Sequence, residues 1–244
     1  LMMKNKNLII ILSLILSSCA APTSSLETSQ TSREGYIFYI DQDTYLHYSE
    51  LDNKIILPTD EYGVPEYTNL LPNALREYRN GIHEGIDFSS PLNYPIKAVY
   101  DGIVIRSNNQ HEDVDINTYN ELLLTTEKLK KTPEDIYNFI LLGKSIVIDH
   151  GYSITKKFRT VTVYAHLSSI PDEVKPGTRV AQGDIIGFSG NTGTSSGALR
   201  NEKGAHLHWE IHFDDSKGRY FLGQNIPEEL LHSNIVQLFE NQVK

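Results

Sequence analysis

Residues 205–213 read Ala-His-Leu-His-Trp-Glu-Ile-His-Phe. Successive side chains leave a β-strand on opposite faces, so an apolar/polar alternation of this kind predicts a half-buried strand. Leu207, Trp209, Ile211 and Phe213 form one face, directed at a core. His206, His208, Glu210 and His212 form the other. Ser, Thr or Lys would serve a merely solvated face. Three imidazoles and a carboxylate point instead to chemistry.

The flanking sequence is also β in character. Upstream, Gly81-Ile-His-Glu-Gly-Ile-Asp-Phe88 carries Gly85, which argues against a helix. As an extended segment it puts His83, Gly85 and Asp87 on one face, with Gly85 leaving room for close approach, and Ile82, Ile86 and Phe88 on the apolar side. An imidazole with a carboxylate suits a borderline divalent ion such as zinc. Short runs rich in Val, Ile and Tyr predict strands at 96–99, 102–107, 145–149, 160–166, 179–181 and 184–190. Turn signals at Val174-Lys-Pro-Gly177 and Ala181-Gln-Gly-Asp184 punctuate them. The fold class that follows is mainly β, an antiparallel sheet or sandwich. One stretch breaks the pattern. Residues 117–131 are rich in Leu, Glu and Lys and lack Gly and Pro. Thr132-Pro133-Glu134-Asp135 then reads as a helix start with Thr132 as cap, and Gly143 as a stop. A two-helix insertion is expected at about residues 108–143.

His83-x-x-x-Asp87, Tyr164-Ala-His166-Leu, a run of regularly spaced glycines from Gly177 to Gly193, and His206-Leu-His208-Trp-Glu210 follow one another in order. Over roughly residues 76–214 these blocks resemble the M23 metallopeptidases, the lysostaphin/LytM-type endopeptidases. The resemblance implies the duplicated hybrid-motif β fold of that family and one Zn2+ per chain. It implies His83, Asp87 and His208 as metal ligands, with His166 and His206 as non-ligand catalytic histidines. The implied reaction is hydrolysis of peptide bonds in peptidoglycan stem peptides or cross-links. Three protein ligands leave a tetrahedral position open for water, as a catalytic zinc requires. One imidazole can take and return the proton, and the other can stabilise the oxyanion; the sequence does not say which does which. Tyr164, on the same predicted strand face as His166, is either a substrate-orienting or a packing residue. Glu210 is a candidate partner for a ligand histidine. Two departures flank the site: the helical insertion and a long approach to His206 at residues 195–204. They either wall the groove or decorate the periphery.

The other histidines have plainer readings. His150 is expected in a turn, His212 past the site on the same strand, and His47, His111 and His232 at the surface. The glycines are turn or packing residues, since no phosphate-loop Gly-Lys-Ser/Thr accompanies them. One competing reading keeps the fold but not the catalysis, as a lipoprotein that binds peptidoglycan or activates another wall hydrolase. The five filled positions weigh against it. Another takes the Val174–Gly187 hairpin as a carrier domain of lipoyl type, for which no lysine stands out at a hairpin tip.

The beginning of the chain carries a different message. Lys4 and Lys6 precede an apolar run from Leu8 to Leu16, broken by Ser13. That run is too short to span a bilayer, which takes about 20 residues, and fits a signal peptide over residues 1–18. Leu16-Ser-Ser-Cys19 resembles a bacterial lipobox, and Cys19 is the protein's one cysteine. The expectation is export, cleavage before Cys19 and lipid anchoring there, on the periplasmic or outer side of a membrane of the cell envelope. Residues 19–35 then read as a small, polar tether. Residues 36–75 read as N-terminal strands (36–40, 45–48, 55–57) followed by a proline-containing loop, residues 76–232 as the peptidase domain, and 233–244 as a tail. The formal charge is −9 over 244 residues, with Lys and Arg at 22 against Asp and Glu at 31. An acidic chain without a basic stripe is a poor nucleic-acid partner. A peptidoglycan peptide and a membrane are the expected partners; the sequence names no protein partner.

Overall fold

The computed structural model describes residues 36–39, 45–47, 51–52 and 54–240. The signal-peptide, Cys19 and tether readings lie outside these residues. Strand β1 (Tyr36–Tyr39) pairs antiparallel with β2 (Tyr45–His47). The stretch 55–57 is not a strand: Ile55 is buried in the core, and the Ile56 N–H donates to the Val99 carbonyl. Next, β3 (Leu75–Arg76) pairs with β4 (Gly81–Ile82). Nine further strands among the described residues build one antiparallel sheet. They are β5 (Ile86–Phe88), β6 (Pro95–Lys97), β7 (Gly102–Ser107), β8 (Lys144–Gly151), β9 (Arg159–Ser169), β10 (Arg179–Val180), β11 (Ile185–Ser189), β12 (Leu207–Asp214) and β13 (Arg219–Phe221). The insertion between β7 and β8 holds α1 (Ile116–Leu129), then α2 (Glu134–Ile136), which continues as a π turn over Tyr137–Leu141. Two more helices are α3 (Ser195–Ala198) and α4 (Glu228–Glu240).

Strand β9 is the hub. One edge pairs with β8. The other pairs with β12 from Arg159 to Ala165, then with β11 at Leu167 and Ser169. The handover falls at His166, whose φ is +60°, a left-handed conformation uncommon for a non-glycine residue. Opposite β8 the register slips by a residue over the same interval, the mark of a bulge. Strict alternation would put His166 on the face of Tyr164. The bulge moves it to the other face and returns Leu167 to the core.

The faces of the sheet sort cleanly. Leu207, Trp209, Ile211 and Phe213 are 0–1% exposed and join Tyr164, Ile146, Ile148 and Phe88 in the main core. Val161, Val163 and Ala165 lie on the opposite face with Leu142 and Val147. Residues 233–240, read from sequence as tail, are instead the body of α4. Its Leu231, Ile235, Leu238 and Phe239 complete the main core, and the Phe239 ring lies 5.7 Å from that of Trp209. The apolar spacing Leu231, Ile235, Leu238 is the helical repeat that carries this.

Both inserted helices form, with different starts from those expected. Asp115 caps α1 by accepting from the Asn117 and Thr118 N–H groups. Thr132 does not cap α2; its hydroxyl donates to the Arg79 carbonyl, and Pro133 takes the cap position. Gly143 ends the segment at φ +61°, where a Cβ would lie 2.4 Å from the Thr192 backbone. Two histidine readings change. His150 is within β8, not a turn, and is buried between the Asp101 carbonyl and the Thr162 hydroxyl. His111 is buried and meets Asp113, while His47 and His232 are partly buried.

Replacing Ile235 by Ala should cost about 2–5 kcal/mol, the usual range for emptying a sealed aliphatic site. Denaturant unfolding checks this, and an unchanged midpoint would return α4 to the status of a tail. Burial lowers His150 below the ordinary histidine value of 6.5. The unfolded chain then binds this proton more readily, so folding stability should fall as pH drops below about 6.5. That part of the pH dependence should be missing in His150→Asn when unfolding is compared at pH 7 and pH 5.

Candidate metal centre

Strands β5 and β12 pair with Asp87 directly opposite His208. The extended segment expected around His83 is interrupted, since β4 stops at Ile82 and β5 starts at Ile86. The intervening His83-Glu84-Gly85 still returns His83 to the same point. His83 Nε2 lies 2.9 Å from Asp87 Oδ1, His208 Nδ1 lies 2.8 Å from the same oxygen, and the two nitrogens are 3.0 Å apart. Gly85 permits this. A Cβ there would sit 2.4 Å from the Trp209 carbonyl oxygen and 3.0 Å from a ring carbon of His208.

The far sides of both rings fix their tautomers. His83 Nδ1 faces the Leu71 carbonyl at 2.8 Å, and a carbonyl only accepts, so Nδ1 carries the hydrogen. His208 Nε2 faces a Glu210 carboxylate oxygen at 2.8 Å and carries its hydrogen for the same reason. His83 Nε2 and His208 Nδ1 are therefore left as lone pairs, converging on each other beside a carboxylate oxygen. Two lone pairs and an anion at 3 Å repel unless a cation lies among them. Among the described residues these three offer ligand atoms in range of one ion, and the N, N, O donor set suits zinc. Without an ion, a proton does the same work. Burial would lower His208, but its hydrogen bonds to Asp87 and Glu210 raise it to about 9. Burial would raise Asp87, yet His83 and His208 hold its carboxyl well below the ordinary range.

His166 and His206 stand beside this cluster, their ring centres 4.7 Å apart, with His166 5.6 Å from His208. Each turns Nδ1 to a backbone carbonyl at 2.8 Å, Thr192 for His166 and Gly204 for His206. By the same argument Nδ1 carries the hydrogen in the neutral form of each ring, which leaves Nε2 as the nitrogen not committed to the backbone. His206 Nε2 is 3.8 Å from Asp87 Oδ1. Burial first, and then the neighbouring imidazoles, hold His166 well below the ordinary histidine value, so it is neutral at pH 7. Tyr164 is not in the cleft. It is fully buried in the main core, where its hydroxyl accepts from the Val99 N–H, because the bulge at His166 separates the two faces.

The cluster opens into a cleft of ≈ 400 Å³. The insertion forms one wall through Tyr119, Leu123, Tyr137 and Leu141, and Thr194 and Ser195 of the loop before His206 form another part. Sequence left the insertion's role open between wall and decoration; it is a wall. Asp113 ties the two together by accepting from the Gly193 N–H. Sequence reasoning missed several contributors. Arg76 donates to the second oxygen of Asp87 at 3.0 Å, and Arg79 stacks 4.8 Å from the centre of the Tyr137 ring. No motif marks either, since both act through a short pairing, β3 with β4, that local sequence does not announce. Glu210 is 2% exposed and accepts from His208, from His212 Nε2 at 2.6 Å and from the Tyr137 hydroxyl. Glu84 adds a second carboxylate near Glu210 and His212, and burial and Glu210 both raise its pKa. Arg79, Arg106 and Arg219 line the same recess and supply its positive charge.

A β-sheet scaffold bearing a His/Asp/His cluster and two further imidazoles in a cleft has the makings of a metalloendopeptidase site. The chain belongs to peptidase family M23, whose sequence profile matches residues 81–220, more than half of the 244. The peptidoglycan DD-endopeptidase ShyA of Vibrio cholerae serotype O1 is 30% identical over 129 residues, which are 53% of this chain and 20% of that protein. An uncharacterized metalloprotease of Buchnera aphidicola is 30% identical over 133 residues, 54% of this chain and 24% of that protein. This chain thus spans about a quarter or less of the length of these two relatives. A crystal structure of a zinc-containing peptidase from Vibrio cholerae aligns with a TM-score of 0.42 at 21% identity, covering 69% of this chain and 39% of that one. The catalytic domain of lysostaphin from Staphylococcus simulans aligns with a TM-score of 0.34 at 21% identity, covering 57% and 75%.

Gly85→Ala should force β5 away from β12, costing about 1–3 kcal/mol as overpacking usually does. The check is denaturant unfolding of metal-free protein; an unmoved midpoint would show that the strands do not need this approach.

Proposed function

We propose that this chain is a zinc-dependent endopeptidase that hydrolyses peptide bonds in peptidoglycan stem peptides or cross-links. His83, Asp87 and His208 hold the metal. The observation that carries the reading is the convergence of His83 Nε2, His208 Nδ1 and Asp87 Oδ1 within 3.0 Å, with each imidazole's other nitrogen committed elsewhere. Bound zinc would polarise the scissile carbonyl and lower the pKa of a ligated water towards about 7.

The remaining work falls to the chain's own groups. His166, neutral and with Nε2 free, accepts the proton of the attacking water and returns it to the leaving amine. His206, whose side chain is 23% exposed, stands on the solvent side of His166. Protonated, it donates from Nε2 to the developing oxyanion. Both rings are aimed by backbone carbonyls, so their geometry does not depend on a mobile partner. Tyr119, Leu123 and Leu141 offer apolar surface for the substrate's side chains, and Arg76 offers a donor beside Asp87. The leader and Cys19 support an exported, lipid-anchored protein facing the wall. ShyA, a peptidoglycan endopeptidase by name, supports the substrate class.

His208→Ala should lose both zinc and activity. His206→Ala should keep zinc while turnover falls by about 10²–10³, the usual size of one oxyanion donor's contribution. Metal analysis and mass spectrometry of digests of purified peptidoglycan read out both. If His206→Ala lost the metal while His208→Ala kept it, the roles would be reversed. Stoichiometric zinc with no cleavage of any muropeptide would favour a binding module that acts through another hydrolase.

A further inference from the structure

The inserted segment does more than wall the cleft. Its π turn places Tyr137 so that the phenol donates to Glu210 Oε1, the same oxygen that accepts from His208 Nε2. Glu210 Oε2 is taken by His212. The carboxylate is therefore pinned by three donors, and one of them, a residue that also lines the cleft, belongs to the insertion. Arg79, itself braced by Thr132, holds Tyr137 there. Arg79 stacks on its ring and donates to the Thr132 hydroxyl, and Thr132 in turn donates to the Arg79 carbonyl. The end of the same segment reaches the other half of the site, where the Leu142 carbonyl accepts from the His166 N–H at the bulge. One inserted segment thus touches a residue behind His208 and the backbone of His166.

We propose that Tyr137 is a positioning residue for the metal centre, acting through Glu210 on the orientation and basicity of His208. The inference rests on the zinc reading above. A ligand imidazole is a better base when its far N–H is held by a fixed carboxylate, and loss of such an outer partner typically costs about 10–100-fold in metal affinity. Removing the phenol leaves Glu210 held only by His208 and His212, one on each oxygen, so Oε1 loses the donor that fixes it from the insertion's side. His208 then loses its fixed direction without losing any ligand atom.

The test uses the full chain carrying Tyr137→Phe, with Phe139→Ala as a control on the same turn, where Phe139 is exposed. Zinc affinity is measured by competition with a colorimetric chelator, the visible spectrum of the cobalt-loaded protein reports ligand geometry, and thermal unfolding of the metal-free protein reports the fold. Tyr137→Phe should bind zinc at least tenfold more weakly and shift the cobalt bands, with its metal-free unfolding midpoint close to that of wild type. Phe139→Ala should match wild type in affinity and spectrum. Wild-type affinity and an unchanged cobalt spectrum in Tyr137→Phe would overturn the inference and leave the zinc reading standing. A wild-type chain that takes up no zinc would overturn both. Should Tyr137→Phe fail to fold, Glu210→Gln keeps the acceptor oxygen for the phenol and His208 while removing the charge. It should weaken zinc at least tenfold, and unchanged affinity there would equally overturn the inference.

Discussion

Glu210 is a carboxylate sealed against a β-sheet, and a charge in that position is tolerable only if donors meet it. Three do, from two parts of the chain: His208 and His212 from its own strand, Tyr137 from the insertion. The requirement runs outward from there. Satisfying Glu210 fixes the hydrogen on His208 Nε2, which exposes a lone pair at Nδ1, which together with His83 and Asp87 creates a demand for a cation. The negative charge under the sheet and the positive charge called for in the cleft are two ends of one chain of hydrogen bonds. Burial of His208 and Glu210 keeps those bonds in a low dielectric, where each is stronger than it would be in water.

A second constraint is conformational. His166 at φ +60° is the point where β9 leaves β12 for β11. A non-glycine residue in that region costs of order 1 kcal/mol or more and persists only where its surroundings enforce it. Here the Leu142 carbonyl takes the backbone N–H and the Thr192 carbonyl takes the ring. The gain is geometric. Without the bulge the imidazole would follow Tyr164 into the core; with it, the ring stands 5.6 Å from that of His208.

How much of this the sequence declares depends on how local the signal is. Strand β12 was legible because its alternation is complete over eight residues and each face has one character. His83 and Asp87 were legible as a pair, although the strand between them is broken, because Gly85 is required by close approach whether or not a ladder forms there. Tyr164 was misplaced because period-two reasoning cannot see a single left-handed residue. Helix α4 went unread because its polar residues hide a stripe of only a few apolar positions, and its partner surface, Phe88 and Trp209, is distant in sequence. Arg76 and Tyr137 were invisible for the same reason: what they touch is set by tertiary packing, with no spacing to mark it.

The neighbouring imidazoles of His206-Leu-His208 show how the fold turns identical side chains into different tools. Both belong to one polar face, two residues apart. His208 lies inside the ladder, opposite Ala165 and Asp87, and its far nitrogen meets a carboxylate. His206 lies just outside, held by an isolated bridge to Gly190, and its Nδ1 meets a neutral carbonyl. A carboxylate behind an imidazole raises its basicity and favours a cation in front of it. A carbonyl fixes the tautomer without that bias and leaves the ring near solvent. The two residues therefore differ in what stands behind each ring, although they sit only two positions apart on one strand face.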